Sequence, residues 1–166
     1  PGHDMDSLVF YAPEARLLIS ADALWENGFG VLFPELYGEP GLDATRATLD
    51  RIASLEVAAV IPGHGRVFSN VGAALERAYG RLDAFERDPE RVARNAFRAL
   101  VVFYLLEHQT ARMHEIARLL ETASFFVMLN ARSYRLAPGA LAQKLVDELA
   151  GAGTVHVEAG VVRPGP

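Results

Sequence analysis

Val57-Ala58-Ala59-Val60-Ile61-Pro62-Gly63-His64-Gly65 is the stretch on which the reading of this chain turns. A short apolar run is stopped by a proline, and a histidine follows at once between two glycines. A run this short, bounded by turn residues, reads as a buried strand. The glycines let the backbone approach closely and hold an imidazole at an angle that larger neighbours forbid. A second turn of this kind, Pro1-Gly2-His3, precedes another strand-like run, and Ile19-Ser20-Ala21-Asp22-Ala23-Leu24 lies between the two with Asp22 at the end of its apolar residues. Imidazole nitrogen and carboxylate oxygen displayed at strand ends are donors suited to a borderline divalent cation. Singly, each histidine is an ordinary loop residue capping a carbonyl and Asp22 an ordinary turn or N-cap residue; their combination points to metal.

Outward from these turns, Ser7-Leu8-Val9-Phe10-Tyr11 and Arg16-Leu17-Leu18-Ile19-Ser20 read as a hairpin joined by Ala12-Pro13-Glu14-Ala15. Trp25 to Gly41 holds too much glycine and proline for one helix and is expected to be a long loop, with Trp25, Phe29, Phe33 and Tyr37 recurring along it. Asp43 is expected to cap a helix to about Leu55 with Leu49, Ile52 and Ala53 inward, and Ser69 or Asn70 to cap the next. That helix carries Val71, Ala74, Leu75, Ala78, Tyr79, Leu82 and Phe85 on one face. Strands alternating with helices, with donors at strand ends, place this part in the α/β class. Asp88-Pro89-Glu90 starts a new helix to about His108, apolar nearly all round from Ala96 to Leu106 and so expected to be buried on several sides. Thr110 is expected to cap a following helix with Met113, Ile116, Ala117, Leu119 and Leu120. Phe125 to Leu129 fits helix or strand equally, Pro138 opens a helix to about Ala150, and two short strands flank Gly160. The expected division is 1–87 and 88–166, the second part resembling a winged-helix domain.

The chain has 166 residues, 51% hydrophobic and 22% charged, with a net charge of −5, so no overall positive field favours nucleic acid or an anionic membrane. It has no cysteine, which removes disulfides, thiolate nucleophiles and Cys-type zinc sites and fits a reducing compartment; a cytoplasmic location is the expectation. Ala99 to Leu106 and Phe125 to Leu129 fall well short of the roughly 18 apolar residues of a membrane span.

The three segments, Pro1-Gly2-His3 before a hairpin, Ile19 to Leu24 and Val60 to Gly65, resemble the metallo-β-lactamase superfamily, in particular its glyoxalase-II-like branch, in order and in expected secondary structure. The resemblance covers about Pro1 to Phe85 and implies the C-terminal half of a four-layer αββα fold. It implies that His3 ligates a first metal, Asp22 bridges two, and His64 ligates the second, with a bridging hydroxide as nucleophile on an ester, thioester or related bond of a small-molecule substrate. The metals would be zinc, with iron or manganese as alternatives. The family's His-x-His-x-Asp-His motif occurs nowhere in this chain. His108 and His114 do not replace it, since six residues put them about 240° apart around a helix, and His156 sits on an expected wing strand. The chain is therefore expected to be a C-terminal fragment of a longer hydrolase, inactive alone, with no catalytic residue of its own. Trp25 and Phe29 are candidates for lining a substrate pocket, against the alternative that they cover the core.

A reading of another class is a winged-helix binding or dimerisation module without catalysis. Nucleic acid is disfavoured, because the helix from Pro138 carries only Lys144 as a base, against Asp147 and Glu148. A cap over the active site or a homodimer surface is the expectation.

Overall fold

The computed structural model describes residues 1–165 and divides into two compact units, Pro1–Val92 and Ala93–Pro166. The division falls within the helix that begins at Glu90, a little beyond the Asp88 start signal. No helix among the described residues is long and apolar enough to cross a membrane.

The first unit is built on a three-stranded sheet, β1 (Phe10–Ala12), β2 (Leu17–Ala21) and β3 (Ala59–Pro62), in that spatial order. β1 and β2 form the expected antiparallel hairpin, whereas β2 and β3 run parallel. The parallel pairing requires a crossover, supplied by α1 (Phe33–Leu36) and α2 (Gly41–Ala53); α3 (Val71–Arg87) follows β3. Alternation along the strands sorts the side chains into two faces. Leu18 and Val60, paired in register, are fully buried, and Phe29, Leu49, Ile52 and Leu82 are buried with them. The opposite row, Phe10, Ile19 and Ile61, is also in register but 63%, 45% and 36% exposed. α2 packs on α3, and polar links join them: Arg46 Nη2 donates to Asp83 at 2.7 Å and to Glu86 at 2.9 Å, and the Tyr79 hydroxyl donates to Asp50 Oδ1 at 2.7 Å.

Several local expectations are corrected. The loop from Trp25 to Gly41 contains the short helix α1, admitted because Pro34 stands in its first turn. Asp43 does not cap α2, which begins two residues earlier at Gly41; the Glu35 carboxylate, brought alongside by α1, accepts from the Leu42 amide at 3.0 Å instead. Ala53 faces solvent rather than the core. Asn70 does cap α3, its Oδ1 accepting from Ala73 N at 3.3 Å.

The second unit comprises α4 (Glu90–His108), β4 (Ala111–Arg112), α5 (Met113–Thr122), α6 (Ser124–Arg132), α7 (Pro138–Gly151), β5 (Val155–Glu158) and β6 (Val161–Pro164), with an antiparallel sheet in the order β4-β6-β5. Its core gathers Val101, Leu105, Ile116, Leu120, Leu141, Leu145 and Val162 around Phe97, which stacks on Phe126 and meets Tyr134 edge-on. The ambiguous Phe125–Leu129 run is helical, within α6. Thr110 is not a cap, because Ala111 and Arg112 are drawn into the pairing with β6; the α5 terminus is closed by Glu115, which accepts from Arg112 N at 2.7 Å. α4 is not buried all round: Phe103 and Leu106 are half exposed. His108 ends α4 and His114 lies in the first turn of α5, so the two lie on different helices rather than around one.

Candidate metal centre

His3, Asp22 and His64 come from three separate places in the chain and lie side by side. His3 Nε2 is 3.3 Å from Asp22 Oδ2, and His64 Nε2 is 3.8 Å from Asp22 Oδ1. Asp22 stands between the two imidazoles with one oxygen turned to each. Among the described residues no group of three or more His, Asp or Glu side chains closes around one point as the ligand set of a single ion. The three form a row, in which each imidazole shares the carboxylate with the other.

The local backbone explains this placement. Ala21 adopts φ 46°, a left-handed conformation unfavourable for alanine, where the β2 to β3 register shifts. The chain leaves the sheet there and turns Asp22 off the strand end. Three hydrogen bonds fasten the turn: Ala23 N donates to Ser20 O at 3.0 Å, Gly30 N to Asp22 O at 2.8 Å, and Gly63 N to Ala21 O at 2.8 Å. The buried Ser20 hydroxyl adds a fourth, donating to Leu24 O at 2.6 Å. His64 sits at the tip of a loop whose base is a pair of hydrogen bonds between Val60 and Phe68.

His3 is held differently from His64. Its Nδ1 lies 2.6 Å from the Val31 carbonyl oxygen, which can only accept, so Nδ1 carries the proton and Nε2 is directed at Asp22. Orientation of one ring nitrogen by a backbone carbonyl is how ligating histidines are commonly fixed. A lone pair on Nε2 facing a carboxylate oxygen needs a proton or a cation between them. Two donors sharing a tetrahedral cation stand about 3.4 Å apart, close to the separation on the His3 side, so the donor set and spacing fit a cation there. The His3 side chain is 25% exposed and the His64 side chain 65%.

Glycines pack against the site where a side chain has no room. A Cβ on Gly30 would stand 2.6 Å from His3 Nδ1 and 2.9 Å from Asp22 Cβ, and one on Gly63 would stand 2.6 Å from Asp22 Oδ1. A Cβ on Gly2, at φ 123°, would overlap Thr45 Oγ1. Gly63 and Gly2 were visible in the turns that carry the histidines. Gly30 and the Val31 carbonyl were not, since only closure of the loop brings them to His3.

Trp25 lies at the centre, its indole Nε1 donating to Asp22 Oδ1 at 3.1 Å and its ring meeting His64 edge-on with centroids 5.2 Å apart. Phe29 is 1% exposed, packed edge-on against Phe85 with the Arg81 guanidinium over its ring. The burial of Phe29 favours the alternative that it covers the core: its apolar ring is more stable covered than facing a wet cleft. A shallow cleft of about 300 Å³ opens beside His3, lined by Asp4, Met5, Asp6, Phe33, Tyr37 and Glu39 among others.

Comparison with known families bears on the segment that carries all three residues. Residues 1–64 match the family model described as the metallo-beta-lactamase superfamily. The matched segment begins two residues before His3 and ends on His64, so all three residues fall within it. Two solved structures are similar. One is a metallo-beta-lactamase family protein from Thermus thermophilus, at 22% identity and TM-score 0.40, covering 99% of this chain and 47% of that one. The other is a beta-lactamase domain protein from Burkholderia ambifaria, at 18% identity and TM-score 0.44, covering 99% and 46%. The chain thus spans about half the length of the solved metallo-beta-lactamase proteins it matches. No curated protein matches it significantly.

Proposed function

We propose that residues 1–87 are the C-terminal half of a four-layer metallo-β-lactamase fold of the glyoxalase-II-like branch, and that His3, Asp22 and His64 supply part of a dinuclear centre for hydrolysis of an ester, thioester or related bond in a small molecule. The observation that carries this reading is the Asp22 carboxylate between two imidazoles, one oxygen toward each Nε2. The bare row Phe10, Ile19, Ile61 supports the fold part, since a sheet buries both faces when a second layer packs on it, and contiguous apolar surface of this kind marks an interface.

Zinc fits imidazole and carboxylate donors; iron or manganese would also accept them. When bound, two such cations supply an activated water and a Lewis acid for the scissile group. The chain's own residues hold and orient: His3 through its bond to Val31 O, Asp22 through its pinned turn, His64 through the Val60–Phe68 loop base. With one imidazole and a shared carboxylate on each side, the chain alone is expected to hold metal weakly and turn over little. Metal analysis by mass spectrometry after dialysis should find well under one equivalent, while millimolar zinc should shift the ring signals of both His3 and His64 in NMR spectra. Asp22→Ala should abolish both shifts. Stoichiometric zinc after dialysis, or shifts indifferent to Asp22→Ala, would overturn the reading.

A second reading, a winged-helix-like binding or dimerisation module at 88–166, is favoured by the order α4-β4-α5-α6-α7-β5-β6 with sheet order β4-β6-β5. Its surface does not suit duplex DNA: Lys144 on α7 is engaged by Glu148 at 3.3 Å, and Gln143 by Asp147 at 2.8 Å. An electrophoretic shift assay at low salt should show no duplex binding, and a salt-sensitive shift would favour a nucleic-acid partner over a homodimer. The cysteine-free composition supports a cytoplasmic location.

A further inference from the structure

Resting on the dinuclear reading, the geometry points to Trp25 as a positioning residue that makes the two sides of Asp22 unequal, so that the His3 side fills first and the His64 side depends on the indole. Asp22 Oδ1 already accepts the indole N–H, whereas Oδ2 faces only His3 Nε2 among the described residues. The indole N–H takes one lone-pair direction of Oδ1 and fixes how the rest of that oxygen is presented, so the alignment of the His64 side is set by the indole and that of the His3 side is not. The two histidines differ in the same sense. His3 is locked by the Val31 carbonyl and backed by Gly30. His64 stands on an exposed tip, and the contacts that steady its ring are Asp22 Oδ1 and the edge of Trp25.

Trp25 is itself firmly held, as a positioning residue must be. Its amide donates to Gly28 O at 2.6 Å, closing a tight loop, and α3 clamps that loop at two points. Arg77 Nε donates to Glu26 O at 2.8 Å and Arg81 Nη1 to Phe29 O at 2.8 Å. The indole is therefore fixed relative to the helix, and through it Oδ1 and the His64 ring take one arrangement. Without the indole, the His64 side keeps its donors but loses their alignment.

Trp25 is the only tryptophan in the chain, so its single indole N–H resonance reports on this contact directly. The experiment is a zinc titration of the whole chain, zinc alone being the probe, followed by NMR on the His3 and His64 rings and on the indole N–H. In the wild type the His3 signals should reach their midpoint at several-fold lower zinc than His64, and the indole N–H should move in step with His64. Trp25→Phe, which keeps a ring but removes the N–H, should raise the zinc needed at His64 by about tenfold while leaving the His3 midpoint within about twofold. An unchanged His64 midpoint, an equal loss at both histidines, or a wild-type indole signal that ignores the His64 transition would overturn the role of Trp25. A wild-type chain in which neither histidine responds to zinc would instead remove the dinuclear reading, and this proposal with it.

Discussion

At the scale of single residues, the site is shaped as much by what is missing as by what is present. Gly30 and Gly63 lie where a methyl group would press on His3 and Asp22. Gly30→Ala should cost about 1 to 3 kcal/mol, the usual penalty of overpacking, read from the urea midpoint, and should break the His3 to Val31 hydrogen bond. Ala21→Gly should do the opposite. Relief of a left-handed alanine, worth about 1 to 2 kcal/mol, outweighs the added flexibility of the unfolded chain, so stability should stay level or rise by up to about 1 kcal/mol. His3, Asp22 and His64 were legible because strand ends and Gly-flanked turns are local patterns. Gly30, the Val31 carbonyl and the bond from Trp25 to Asp22 were not, because each depends on how the loop from Leu24 to Leu32 folds back, and no short-range spacing encodes that return.

At the scale of elements, sequence patterns located the hairpins and the helices other than α1 and α6, while their ends were set by neighbours. α2 takes its N-terminal partner from Glu35, on the preceding short helix, in place of Asp43 within its own first turn. Glu35→Ala should therefore destabilise the first unit by about 1 kcal/mol, measured by thermal or urea unfolding, whereas Asp43→Ala should have a smaller effect. The β5–β6 turn places Ala159 at φ 49° and Gly160 at φ 75°, the pattern of a turn with both central residues left-handed. Ala159→Asn should stabilise the hairpin by up to about 1 kcal/mol, since asparagine tolerates that region better. The strand β4 escaped the sequence reading for a physical reason: two residues carry no period, and Ala111 and Arg112 become a strand only because Val161 and Val162 offer an open edge.

At the scale of the whole molecule, two partly buried phenols make both units sensitive to alkali. Burial, reinforced by the hydrogen bond to Asp50, pushes Tyr79 up to about 12, and burial, reinforced by the Glu148 charge, pushes Tyr134 up to about 12. Each phenol ionises more readily in the unfolded chain, near pH 10, than in the folded one. Their contribution is therefore fully present below about pH 10 and is lost as pH rises from there toward 12. Unfolding followed by circular dichroism should become easier across that window, and Tyr79→Phe should blunt the loss for the first unit. The exposed row Phe10, Ile19, Ile61 gives a different expectation: Ile19→Lys should change the stability of the chain alone by no more than about 0.5 kcal/mol yet raise its solubility. A cost of several kcal/mol would mean that this face is already covered. The sequence by itself determined the α/β character of the first unit, the helices of the second other than α6 and the residue types able to hold a cation, because periodicity, proline and glycine act over a few residues. Only the tertiary structure decided that Asp22 stands between His3 and His64, that Trp25 serves the carboxylate while Phe29 serves the core, and that one face of the sheet is left bare. Those outcomes follow from contacts between distant segments, whose geometry is set by packing and loop closure rather than by local preference.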